Sequence, residues 1–193
     1  MANYLALLIS ALFSPFVLIP ITVVATGLRY ENDIADLAKW IAGGLVFLVL
    51  IPSAFLFLQI ASGKVTDPHV AVREQRIKPF LVGLLSSIAG TIFLWLYGLG
   101  KPAISFAICY LANMILIVLI TIRWKVSIHA SVFSACVVAM AISFGSHLLL
   151  LLLLLPAIGW ARIHRGKHTP AQIAVGALAS SATTWIVLSA MGV

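Results

Sequence analysis

Arg162 and His168 stand six residues apart in the segment Arg162-Ile-His-Arg-Gly-Lys-His168, where an otherwise apolar chain turns polar. A second imidazole, His129, lies upstream beside Ser127. Arginine presents a planar fork of donors that matches phosphate oxygens, and a serine hydroxyl adds another donor. A neutral imidazole can attack phosphorus while a second protonates the departing oxygen. Residues of these types at this spacing suit phosphoryl transfer without a metal.

These groups must be held by elements that cross a bilayer. Hydrophobic residues make up 63% of the 193-residue chain and charged residues only 9%, and the mean hydropathy is +1.17. Apolar runs of about twenty residues match a hydrocarbon core roughly 30 Å thick, and continuous rather than alternating runs indicate helices. Spans are expected near Tyr4 to Gly27, Trp40 to Ala61, Phe80 to Gly98, Pro102 to Ile122, Ala130 to Gly145, His147 to Trp160 and Ala171 to Met191. Pro15 and Pro20 predict a kink in the first, which lacks a basic leader and reads as a retained span. The expected fold is all-α, a polytopic transmembrane bundle of six or seven spans forming one integral membrane domain over 1–193. Residues 1–122 hold four spans with a basic loop at 62–79, and residues 123–193 hold the segment bearing both imidazoles.

With seven crossings, the loops after the second, fourth and sixth spans share one side with the N-terminus. Nine of the twelve basic residues fall there: Lys64, Arg73, Arg76, Lys78, Arg123, Lys125, Arg162, Arg165 and Lys167. The positive-inside rule alone accounts for such a bias and makes this side cytoplasmic in a cell membrane. The alternative is an anion site, favoured because Ser127, His129 and His168 sit among the cations. Setting aside Arg73, Arg76, Lys78, Lys125 and Arg162 as site residues leaves four basic residues against three on the other side, a weak lean.

The C-terminal third resembles the type 2 phosphatidic acid phosphatase superfamily, membrane lipid phosphatases sharing a core with vanadium-dependent haloperoxidases. Its third motif, S-R-x-x-x-x-x-H-x-x-x-D, is matched at Arg162 and His168, with Ala161 and Gln172 in place of the serine and aspartate. Its second motif, P-S-G-H, is matched by Ser127 and His129 within Val126-Ser127-Ile128-His129. The resemblance implies that His168 is the nucleophile of a phosphohistidine intermediate. By the same resemblance His129 is the acid that later activates water, and Arg162 and Ser127 hold phosphate oxygens. The substrate would be a lipid-linked phosphate or diphosphate, a polyprenyl diphosphate or a phosphatidic-acid-like lipid, with no cofactor, metal or nucleic acid involved.

Three departures from the pattern are visible. Gln172 cannot supply the charge of the aspartate, and Asp67 in the basic loop is the acid expected to replace it. Ile128 stands where glycine is usual. The first motif, K-x-x-x-x-x-x-R-P, survives only as Lys78-Pro79. Arg73 and Arg76, three apart, are expected to point the same way on a helical turn and to bind phosphate together with Lys78 and Lys125. A solvated basic loop attracting anionic headgroups is the simpler reading of these four.

Other chemistries fit less well. His164 and His168 have the i, i+4 spacing of a zinc pair, with His129 a third ligand, but no glutamate accompanies them as a base. A magnesium-dependent prenyltransferase needs clustered aspartates, and the chain has only five acids. A non-catalytic anionic-lipid-binding or transport protein stays open because of Gln172. Cys109 and Cys136 read as packing residues inside spans. The two hairpin legs, each about fifteen residues or roughly 23 Å, are expected to leave the catalytic ends below the headgroup plane.

Overall fold

In a computed structural model of the protein, residues 1–66, 70 and 72–193 are described, and among them the chain is helical with no strand. Six stretches are long and apolar enough to cross a membrane: Ala2–Tyr30, Ile34–Ala61, Glu74–Leu96, Lys101–Arg123, Ser146–His164 and Pro170–Ala190. A seventh apolar helix, Ile128–Phe144, is shorter. These are the dimensions and composition of an integral membrane protein. The chain divides into two compact units, one joining Met1–Thr22 to Val126–Val193 and the other comprising Val23–Lys125.

In the unit that ends the chain, the first span is broken rather than bent. Helix α1 covers Ala2–Leu12 and α2 covers Pro15–Tyr30. Pro15 opens α2, where its missing N–H costs nothing. Its ring disfavours helical backbone in the residue before it, which explains the break at Phe13 and Ser14. Phe13 uses the break to meet Phe133 edge to face, with ring centroids 5.4 Å apart. Ile9, Phe13 and Leu18 thereby pack on the buried cluster of Phe133, Val137 and Ile158.

Helix α7, Ile128–Phe144, turns at Gly145, whose φ of +122° a side chain rarely tolerates. The returning leg begins as a 3-10 segment, Ser146–Leu154, and continues as an α-helix over Leu155–His164. A 3-10 turn rises about 2.0 Å per residue against 1.5 Å in an α-helix. The nineteen residues of this leg therefore reach roughly 33 Å, enough to span. Only α7, at roughly 25 Å, is short, so the expectation of two short legs holds for one of them.

The other unit contains α3 (Ile34–Gly44), α4 (Ile51–Ala61), α5 (Ile77–Leu96) and α6 (Lys101–Arg123). A π-helical stretch, Leu45–Leu50, joins α3 to α4. Pro52 explains it: without an N–H it cannot bond the carbonyl of Leu48 four residues back, nor that of Phe47 in the wider π register. Both oxygens are served from elsewhere, Phe47 by the Ser86 hydroxyl at 2.6 Å and Leu48 by the Tyr110 hydroxyl at 3.4 Å. Intramembrane backbone left without such donors would be costly.

Candidate functional site

The loop carrying the second imidazole is built by two helix-end devices. The first ends α8, Leu155–His164: Gly166 takes φ +63°, its N–H bonds the Ile163 carbonyl at 2.8 Å, and the Lys167 N–H bonds the Arg162 carbonyl at 3.0 Å. This is a Schellman termination. The second opens α9, Pro170–Ala190. Thr169 caps it, its hydroxyl accepting from the Gln172 N–H at 3.3 Å while the Gln172 side chain accepts from the Thr169 N–H at 3.2 Å. That reciprocal pair is a capping box. His168 is thus held between two rigid turns and is 8% exposed.

The capping box also selects the tautomer of the neutral ring. A backbone N–H can only donate, so the Gln172 atom facing it is the oxygen. The same oxygen lies 3.1 Å from Nδ1 of His168, so Nδ1 carries hydrogen and donates. In the neutral ring the lone pair then sits on Nε2. Gln172 therefore does the orienting that a carboxylate would do, without its charge.

His129 is fixed in the opposite sense. It sits in the first turn of α7, 4% exposed, with Nε2 3.1 Å from the carbonyl oxygen of Ser10 in α1. That oxygen only accepts, so Nε2 carries hydrogen and Nδ1 is the nitrogen at which His129 can gain or lose a proton. Ser127, completely buried, caps α7 through its hydroxyl, which accepts from the Ala130 N–H.

The N-terminal ends of α7 and α9 meet directly. The Ser127 N–H donates to the carbonyl of Gln172 at 3.1 Å, and the Ser134 hydroxyl to that of Ala177 at 3.1 Å. Small residues permit this approach. A Cβ built on Gly176 would lie 2.7 Å from the Ser131 hydroxyl and 2.9 Å from the Ser127 carbonyl. Ser127, His129, His168 and Gln172 are thereby gathered at one end of one unit. Arg162, 1% exposed in the last turn of α8, belongs to the same unit. Two positive helix ends converge here.

The basic-loop residues belong to the other unit. Arg73 and Arg76 each bond acceptors within that unit. Arg76, in a 3-10 turn and 1% exposed, donates through Nε to the Val70 carbonyl at 2.7 Å. Arg73 bonds Glu74 at 3.1 Å and the Ile122 carbonyl at 3.1 Å. Lys78 is exposed and Lys125 half-buried. Asp67 lies outside the described residues.

His164 points to Asn3, with Nε2 2.8 Å from its side-chain oxygen, and stacks on Trp160 at 5.2 Å. Among the described residues no three His, Cys, Asp or Glu side chains gather as a metal-binding set. Sequence reasoning missed Ser10, Thr169 and Gly176. Thr169-Pro170-Ala-Gln172 carries a legible capping-box signature, whereas nothing in the sequence announces Ser10. No protein-family model matches the chain, and no match was found among curated proteins or solved structures.

Proposed function

We propose that this protein is a membrane phosphatase that hydrolyses a lipid-linked phosphate or diphosphate, of the polyprenyl diphosphate or phosphatidic acid kind. The observation that carries the reading is the pair of complementary imidazoles, His168 with its lone pair on Nε2 and His129 with its exchangeable position at Nδ1. The spacing of Arg162 and His168 and the resemblance of both motifs to the type 2 phosphatidic acid phosphatases support it.

The reaction runs in two displacements. Nε2 of His168 attacks phosphorus, the N–P bond forms, and the bond to the lipid oxygen breaks as protonated His129 gives that oxygen the Nδ1 proton. Water then surrenders a proton to His129 and attacks phosphorus, the N–P bond breaks, and phosphate leaves. Arg162, the Ser127 region and the two helix ends stabilise charge on the equatorial oxygens.

Purified protein in vesicles with excess chelator is expected to release phosphate from at least one member of a panel of lipid phosphates, and vanadate is expected to inhibit it. Lipid binding with no phosphate released from any panel member would replace this reading with a second one, a non-catalytic anionic-lipid-binding or transport protein. The observation favouring that alternative is Gln172, which leaves an imidazolium at His168 without a carboxylate beside it.

Gln172 offers a graded test. Gln172→Leu removes the oxygen shared by His168 and Thr169 and is expected to lower turnover about tenfold to a hundredfold, in the range of lost orienting partners. Gln172→Glu keeps both acceptor contacts and adds charge, so turnover is expected to stay within about threefold of the parent or to rise. Equal losses in both variants, measured as kcat on one lipid, would show that orientation of the ring is not what Gln172 supplies.

A further inference from the structure

An apolar groove of about 440 Å³ runs between α8 and α9, lined by Leu155, Gly159 and Ile163 on one side and Pro170, Ala174 and Leu178 on the other. It exists because Gly159 has no side chain and Ala174 only a methyl. Its two walls end at Ile163 and Pro170, the residues that bracket the Arg162–His168 loop. From Leu155 to Ile163 the wall measures roughly 12 Å, about two helical turns.

Charge tells what fits there. The unit formed by residues 1–22 and 126–193 contains Arg162, Arg165 and Lys167 and no aspartate or glutamate. All three cations fall within residues 162–167, at the segment that joins the two walls, and no ionisable side chain lines the groove. A ligand complementary to both parts has an anionic head and a hydrocarbon tail.

We infer that this groove seats the head-proximal part of the tail of a bilayer lipid phosphate whose head group is taken at the Arg162–His168 loop. The inference rests on the proposed phosphatase reading for the identity of the head. The groove holds about two turns' length of tail and opens sideways, so the remainder stays in the bilayer. Tail selection then belongs to the surfaces of Gly159 and Ala174, and head selection to the loop.

Photolabelling tests this without requiring turnover. Protein in phosphatidylcholine vesicles would receive a phosphatidic acid probe with a diazirine near the head end of one tail, or the matching diacylglycerol probe lacking phosphate. The phosphatidic acid probe is expected to label residues 155–178 preferentially. Ala174→Trp is expected to reduce that labelling about tenfold by filling the groove, and to raise KM for a long-chain lipid phosphate with a smaller change in kcat. Leu178→Trp, at the exposed rim, reads the same groove should the first variant fail to fold. Leu153→Trp, at a residue 76% exposed on the same leg outside the groove, is expected to change neither readout. Equal labelling by both probes, or full labelling in a folded Ala174→Trp or Leu178→Trp protein, would overturn the inference. Selective labelling without phosphate release from any lipid would sustain the groove and overturn the hydrolase reading.

Discussion

Replacing His168 by alanine is expected to cut phosphate release by about ten-thousand-fold or more, the scale seen when a catalytic nucleophile is removed, while leaving the fold standing. The second half of that statement comes from the loop. The His168 ring bonds Gln172, but the Schellman turn at Gly166 and the reciprocal Thr169–Gln172 bonds that shape the loop do not involve its side chain. Thermal unfolding of the variant is therefore expected to lie close to the parent. His129→Ala is expected to lose about a hundredfold to ten-thousand-fold, as for a general acid.

The two variants also differ in kind. Acid-labile, alkali-stable phosphate on the protein after a rapid quench should be seen in the parent and absent from His168→Ala. Phosphate release within tenfold of the parent in a folded His168→Ala protein would end the phosphohistidine mechanism.

Gly176 is a position where an added side chain should damage the architecture, because backbone stands in its way. Gly176→Leu puts a Cβ 2.7 Å from the Ser131 hydroxyl, 2.9 Å from the Ser127 carbonyl and 3.0 Å from Val126 Cγ2. The hydroxyl can rotate away, but the Ser127 carbonyl is backbone at the start of α7 and can move only with the helix. Helices α7 and α9 must separate, stretching the 3.1 Å bond from Ser127 to Gln172.

Overpacking of this kind costs about 1–3 kcal/mol, and misplacing reacting groups by about 1 Å costs on the order of a hundredfold in rate. Gly159→Ala is the contrast for stability alone, since Gly159 lines the groove proposed for the tail. Its Cβ would meet Ile173 at 3.5 and 3.7 Å, ordinary contact, and replacing a mid-helix glycine should be neutral or stabilise by up to about 1 kcal/mol. Chemical denaturation in detergent, measured on both variants, and phosphate release, measured on Gly176→Leu, check the pair. Equal stability and activity in Gly176→Leu would mean the α7–α9 contact does not hold the site together.

Hydropathy located the helices well, because lipid exposure is a property of each segment alone. It could not place the first helix beside His129, since a uniformly apolar stretch gives no signal of which neighbour it packs against, and Ser10 contributes only a backbone oxygen. The eight leucines of Leu148 to Leu155 likewise carry no periodic phase, so their 3-10 winding and extra length were invisible. At the site, the spacing of Arg162 and His168 and of Ser127 and His129 was legible, and the structure puts all four in one unit. The role of Gln172 was legible in principle. Read as a failed carboxylate it is a defect, whereas read with Thr169 it is half of a cap. For Arg73 and Arg76 the spacing of three was legible, but the acceptors that each one bonds, the Glu74 carboxylate and the Ile122 and Val70 carbonyls, were not.

The bond from His129 to the Ser10 carbonyl has a consequence for biogenesis. The segments that share it are separated by more than a hundred residues of intervening chain, so a ribosome delivers the first long before its mate exists. That helix must wait in the bilayer without this neighbour, and the bond that fixes the His129 ring is deferred until the segment carrying His129 follows it.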